Sequence, residues 1–273
     1  MAVRTFVFDL DGVVYRGEQP IPGAVDTIQT LRHLGHQVYF LTNNSTQTRS
    51  TYAAKLQRMG VDVDDAHIMT SSYATALYLS EHGAQGKSVL VVGEEGIVTE
   101  MKAIGMRITH RGSRVEGRGA DEDCRFDYVV VGMDREFCYQ SLLEAQQAIL
   151  SGAKFIATNR DSTYPLEGGR VVPGGGSIVA AIEVASGVRP LLIGKPETYA
   201  MTEVLKLSGA MTEDCVVVGD RLDTDILAGK RAGMKTVLVL TGVTSEAEAG
   251  NAPEEVQPDV VIHSLPELLE WIR

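Results

Sequence analysis

Asp9 and Asp11 close a short apolar run, Thr5-Phe-Val-Phe8, and Gly12 follows them. β-branched and aromatic residues of that kind form buried strands. Two carboxylates two positions apart on a strand point to the same side. Like charges so placed repel, and burial penalises each of them. A hard divalent cation with oxygen ligands, Mg²⁺ above all, is the simplest way to hold them together. A solvated turn containing Asp-Leu-Asp-Gly is the alternative.

Three more expected strand ends stop in polar residues. Thr42-Asn43-Asn44-Ser45 stands directly before a helix expected to start near Ser45. Hydroxyl, amide and unpaired backbone N–H groups there make an anion site suited to phosphate, although a simple helix cap would use the same residues. Gly194-Lys195-Pro196 follows a strand expected at 191–193 and can place a compact positive charge in a crevice; a solvated surface lysine is the alternative. Gly219-Asp220-Arg-Leu-Asp-Thr-Asp225 carries three acids within six positions, more than one helix cap needs. Asp223 or Thr224 can serve as that cap, while Asp220 occupies on its strand the place Asp9 has on its own.

The elements that must position these groups alternate from end to end. Strands are expected at 5–8, 37–41, 88–92, 128–131, 154–157, 191–193, 215–218, 236–240 and 259–262. Helices are expected at 45–59, 71–81, 96–104, 139–150, 177–185, 198–207, 224–232 and 265–272. That pattern predicts an α/β fold whose parallel sheet is covered on both faces. Gly- and charge-rich residues near 81–87 and the Gly187–Pro190 stretch divide the chain into an outer domain, 1–81 with 189–273, and an inserted βα block, 82–188. Such an insertion would sit above the crevice where parallel sheets bind ligands. Residues 111–123, polar and rich in Gly and Arg, are expected to form a mobile hairpin or loop.

Composition narrows the partners. The 273 residues are 44% hydrophobic and 22% charged, as expected of a soluble chain with a core, and the net charge of −11 disfavours nucleic acid. A small phosphorylated ligand needs only a local positive patch. No stretch approaches the roughly 18 apolar residues of a membrane span, and the N-terminus lacks signal-peptide character. The cysteines Cys124, Cys138 and Cys215 have no metal-ligand spacing and read as thiols of a reducing cytoplasm.

Together these pieces describe phosphoryl transfer. Asp9, Asp11 and Asp220 can hold Mg²⁺, and Thr42, Asn43 and Lys195 can hold phosphate oxygens. A carboxylate in line with phosphorus is a nucleophile able to form an aspartyl-phosphate, with lysine and metal neutralising the transferring group. Asp9-Leu-Asp11-Gly12, Thr42-Asn43-Asn44, Gly194-Lys195-Pro196 and Gly219–Asp225 resemble, in order, the four motifs of the haloacid dehalogenase-like phosphatases. The Leu41–Asn44 and Gly219–Asp225 forms, with a large insert between the second and third motifs, resemble the NagD branch, which includes p-nitrophenyl-phosphate, phosphoglycolate and pyridoxal-phosphate phosphatases.

The resemblance implies a Rossmann-like core with a movable α/β cap and hydrolysis of small phosphomonoesters. It implies that Asp9 is the nucleophile and that Asp11 protonates the leaving alkoxide and then activates water. Thr42, Asn43, Asn44 and Lys195 would bind phosphate. Asp220 would ligate Mg²⁺ beside Asp9 and the carbonyl of Asp11, with Asp225 joining directly or by orienting metal-bound water. It also allows a homodimer through the cap. A phosphosugar mutase uses the same intermediate, and a receiver-type signalling module also phosphorylates an aspartate beside Mg²⁺. The receiver has no use for a second acid or a large insert. Within the insert, Asn159-Arg160-Asp161-Ser-Thr-Tyr164-Pro165 breaks from a strand into a loop, and the resemblance makes Asn159, Arg160, Asp161 and Tyr164 candidate substrate contacts. A structural turn is the alternative. Gly174-Gly175-Gly176 lacks the spacing and lysine of a P-loop and is expected to be the flexible start of a helix.

Overall fold

A computed structural model describes residues 4–110, 125–165 and 170–272. The expected hairpin or loop at 111–123 and Cys124 lie outside these residues. In chain order the strands are β1 (Thr5–Phe8), β2 (Tyr15–Arg16), β3 (Gln19–Pro20), β4 (Gln37–Thr42), β5 (Ile68–Thr70), β6 (Ser88–Val92), β7 (Arg107–His110), β8 (Tyr128–Val131), β9 (Lys154–Ala157), β10 (Thr163–Pro165), β11 (Val171–Pro173), β12 (Leu191–Leu192), β13 (Cys215–Gly219), β14 (Lys235–Val239) and β15 (Val260–Ile262). The first sheet is six-stranded and parallel, in the order β15-β14-β13-β1-β4-β5. The second is five-stranded and parallel, in the order β12-β9-β8-β6-β7.

Alternation along β1 shows why both faces of the first sheet are dry. Phe6 and Phe8 pack with Phe40, Ile28 and Leu31 on one side, and Val7 packs with Leu41, Met69 and Val217 on the other. Each such fully buried side chain contributes about 1.5–3 kcal/mol. The second apolar cluster continues through the helices Ser71–Glu81, Glu95–Ala103 and Tyr199–Ser208 to Val89, Val91, Val130 and Ile156 of the second sheet. The opposite face of that sheet, with Val129, Val131 and Phe155, is covered by the helices Tyr139–Leu150 and Gly175–Ser186.

Three local expectations change. Leu191–Leu192 belongs to the second sheet, beside β9, so the strand before Lys195 is not part of the first sheet and the expected boundary at 188/189 falls ahead of it. The second helix runs Arg49–Arg58, capped by the Thr48 side chain accepting from the Thr51 N–H, rather than starting near Ser45. Residues 222–226 form a π-helical turn before the short helix Leu227–Arg231, with the Ile226 N–H reaching the Arg221 carbonyl at 3.2 Å. Insertions of this kind in a helix start recur at functional sites. No helix among the described residues is long and apolar enough to cross a membrane. Cys138 and Cys215 are unpaired, the first exposed and the second buried.

Candidate active site

β1 lies between β13 and β4, so the chain leaves its C-terminal end with neighbours whose connections run to opposite sides of the sheet. A crevice opens at such a switch point. Asp9 emerges there with its N–H bonded to the Val218 carbonyl at 2.9 Å. Asp11, Thr42, Asn43, Asn44, Lys195, Asp220, Arg221, Thr224 and Asp225 line the same cleft, which the second sheet's loops close with Met133, Asn159, Asp161, Thr163, Tyr164, Gly174 and Gly175.

Lys195 is the electrostatic centre of the cleft. It is 3% exposed, and its Nζ donates to Asp9 Oδ1 at 2.5 Å, Asp225 Oδ1 at 2.6 Å and the Leu41 carbonyl at 3.2 Å. Burial alone would lower its ammonium pKa, but Asp225 and Asp9 outweigh that and raise it. The lysine is therefore a fixed cation. Gly194 lets the chain deliver it: an added Cβ would lie 2.6 Å from Asn43 Oδ1 and closer still to the Thr158 carbonyl.

Asp9, Asp220 and Asp225 bring one carboxylate oxygen each within 4.8 Å of one another. One ammonium cannot balance three buried acids. Burial, then the neighbouring acids, hold Asp9 well above the usual carboxylate range despite Lys195. Burial and Asp225 push Asp220 up to about 7, against the Val243 N–H that donates to its Oδ2 at 2.7 Å. A hard dication matches this surplus of buried oxygen ligands, so the residues fit one. Asp225 has both oxygens engaged, by Lys195 and by the Arg221 N–H at 3.1 Å. Asp11 lies outside this group of three.

Glycine makes room for the cluster. Gly12 has φ +90, and a Cβ there would lie 2.6 Å from Asp220 Oδ2. Gly242 touches the same carboxylate more closely. Asp11 sits beyond Gly12, with its pKa raised to about 6 by burial, against the Lys55 and Lys195 charges and a hydrogen bond from Tyr164. The Tyr164 hydroxyl, pushed up by burial and by Asp11, also has the Asn44 side chain beside it.

Residues 43–45, which follow β4, form a loop rather than a helix start. Thr42 Oγ1 accepts from the Asn44 N–H at 3.1 Å, and Asn44 Oδ1 accepts from Thr46 N–H and hydroxyl at 3.0 and 2.8 Å. That turn leaves the Thr42 hydroxyl proton to donate elsewhere. Asn43 lies in the cleft, as expected, with its side-chain amide engaged by protein. Its Nδ2 donates to Asp161 Oδ1 and to the Lys195 carbonyl, both at 2.9 Å, and its Oδ1 accepts from the Lys195 N–H at 2.8 Å.

Arg160 is not brought to the cleft. It pairs with Glu183 on the helix Gly175–Ser186. Arg221 lines the cleft but is forked onto Asp223 at 3.1 and 3.0 Å. The three glycines at 174–176 are close-packed: a Cβ on Gly174 would meet the Asp161 carbonyl, and one on Gly176 the Arg160 carbonyl. Met133, Thr163 and Val243 are cleft residues that sequence reasoning passed over, for apolar and hydroxyl residues in loops carry no chemical signal.

Known proteins resemble this chain over nearly its whole length. A family model described as haloacid dehalogenase-like hydrolase matches residues 6–107, and a second, HAD-like hydrolase model matches 192–268. Phosphoglycolate phosphatase 1A of Arabidopsis thaliana is 38% identical over 280 residues, covering 98% of this chain and 77% of that protein. The chain belongs to the haloacid dehalogenase-like hydrolase family. Glycerol-3-phosphate phosphatase of Homo sapiens is 36% identical over 99% of this chain and 91% of its own length. Among solved structures, glycerol phosphate phosphatase from Mycobacterium tuberculosis in complex with magnesium is 36% identical with a TM-score of 0.86, covering 97% of this chain and 76% of that one. The p-nitrophenyl phosphatase from Archaeoglobus fulgidus is 34% identical with a TM-score of 0.87, over 99% and 100% of the two chains. The chain is thus a hydrolase on an α/β fold, as its strand-end motifs imply.

Proposed function

We propose that this family member hydrolyses small phosphomonoesters through an aspartyl-phosphate on Asp9, in a Mg²⁺-dependent reaction. The observation that carries the reading is Asp9 itself, at the switch point of a parallel sheet with Lys195 Nζ at 2.5 Å and Asp220 and Asp225 beside it. Asp9 attacks phosphorus, the phosphorus–oxygen bond to the leaving group breaks, and Asp11 gives that oxygen its proton. A carboxyl held near 6 by its surroundings is suited to giving and retaking a proton close to neutrality. Water then attacks the phosphorus of the aspartyl-phosphate, Asp11 takes its proton, the phosphorus–oxygen bond to Asp9 breaks, and free phosphate leaves.

Lys195 and the Thr42 hydroxyl steady the phosphoryl oxygens. Asp9 and Asp220 would hold Mg²⁺, with Asp225 fixing Lys195 and the 221–225 turn around it. The bound ion supplies charge neutralisation on the transferring group. Tyr164, Thr163 and Met133 face the leaving group from the second sheet's side. Relatives named for phosphoglycolate, glycerol phosphate and p-nitrophenyl phosphate favour small leaving groups.

The test is phosphate release from that set of esters with Mg²⁺, in wild type and Asp9→Asn. The variant is nearly isosteric and is expected to fold with turnover reduced on the order of 10⁴-fold or more. Wild-type rates in folded Asp9→Asn protein would remove the covalent mechanism.

A further inference from the structure

Asn43 joins three segments that lie far apart in sequence. It holds Lys195 by a reciprocal pair of bonds, side-chain Oδ1 from the Lys195 N–H and Nδ2 to the Lys195 carbonyl. The same Nδ2 donates its other proton to Asp161 Oδ1 at 2.9 Å. The Asn43 carbonyl accepts from Asn159 Nδ2 at 2.8 Å and from Ser71 Oγ at 2.6 Å. Asp161 is fixed in turn, its N–H donating to Asn159 Oδ1 at 3.2 Å. An amide nitrogen has two protons, and both are used, so no other orientation of the Asn43 amide keeps Lys195 and Asp161 satisfied together.

We propose that Asp161 is a positioning residue for the phosphate subsite: through Asn43 it locks Lys195 in place when the loop carrying residues 159–161 lies on the first sheet. The proposal rests on the phosphatase reading above. It assigns Asp161 to the half of the substrate that all phosphomonoesters share, although the residue comes from the side of the cleft that faces the leaving group. Its energetic basis is the cost of an unmade bond to a buried amide, which reaches about tenfold in an equilibrium. Without Asp161, one Asn43 proton is orphaned and the amide can turn away from Lys195.

The experiment measures kcat and KM for p-nitrophenyl phosphate, phosphoglycolate and glycerol 3-phosphate, together with inhibition by inorganic phosphate. The variants are Asp161→Ala, Asp161→Asn and Tyr164→Ala, each checked for its melting temperature. Asp161→Ala is expected to lower kcat/KM for all three esters by a common factor of about tenfold. It is expected to weaken inorganic-phosphate inhibition by a similar factor. Asp161→Asn keeps an oxygen that accepts from Asn43, so it should return both values to within about threefold of wild type. A merely structural role would lower the melting temperature and the amount of active enzyme while leaving phosphate inhibition unchanged, and that result overturns the proposal. Reordering of the three esters by Asp161→Ala overturns it as well, as does failure of Asp161→Asn to rescue. Lack of any ester hydrolysis by the wild type would instead overturn the phosphatase reading itself.

Discussion

The two sheets present their C-terminal edges to one cleft, yet they end in different chemistry. The first sheet finishes in Asp9, Thr42 and Asp220, groups that are charged or hydrogen-bonding and held by several partners each. The second finishes in Gly132-Met133 and Thr158-Asn159, small or neutral residues that sit against the first sheet's loops. A Cβ on Gly132 would crowd Ser45 and Thr158, and the Met133 N–H donates to Ser45 Oγ at 3.3 Å. The contrast is a division of the cleft: the first sheet lines it with Asp9 and Asp220, while the second sheet's loops close it with mostly neutral residues. Lys195 straddles the division, for its chain runs beside β9 up to Gly194 and then delivers the ammonium to Asp9.

The strongest way to break that division is at Lys195. Lys195→Ala removes a group acting on the phosphate that every substrate carries, so kcat/KM should fall by a similar factor for all esters, about 10²–10³-fold. It also leaves Asp9 and Asp225 without their shared cation, which should cost about 3–5 kcal/mol of stability unless Mg²⁺ is added. Steady-state kinetics and denaturant titration check the two parts. Substrate-dependent losses would place the lysine on the leaving-group side.

Metal linkage gives a smaller, purely physical readout. Mg²⁺ at a hundredfold excess over Kd should stabilise the wild type by about 2.7 kcal/mol, read as a higher melting temperature. Asp220→Asn removes a carboxylate that burial already holds near 7, so the metal-free variant should melt no lower than the wild type and should gain little from Mg²⁺. Equal Mg²⁺-dependent shifts in both proteins would take Asp220 out of the metal site.

The smallest effects separate Tyr164 from its neighbour in the same loop. Tyr164→Ala should change the order of preference among esters, because the residue lines the cleft and its hydroxyl meets Asp11. Arg160→Ala should leave that order intact and alter stability by no more than about 0.5 kcal/mol, since its partner is a partly exposed Glu183. A reordering caused by Arg160→Ala would show that the arginine leaves Glu183 for the substrate.

The site's charged centre was legible in the sequence because strand ends are local features. A run such as Thr5–Phe8 followed by Asp9 and Asp11 declares both the strand and its unusual finish. What escaped reading depends on partners distant in the chain. Leu191–Leu192 joins the second sheet through pairing with Ile156 and Ala157, which its own two residues cannot announce. The start of the second helix moved from Ser45 to Arg49 because Asn44 turns back onto Thr46 and Thr48 supplies the cap. The side-chain amide of Asn43 bonds to Lys195 and Asp161, 152 and 118 positions away, which its own neighbours cannot announce. Arg160 looked available until Glu183 came beside it.

If the phosphoryl group passes to Asp9, the intermediate can be trapped. Wild-type enzyme with Mg²⁺ and a phosphomonoester is quenched in acid during turnover, and its peptides are analysed by mass spectrometry. The account predicts an acid-stable, hydroxylamine-labile phosphoryl group on the peptide containing Asp9, absent in Asp9→Asn protein. A phosphoryl group on another residue, or none at all in enzyme quenched while it is releasing phosphate, would contradict it.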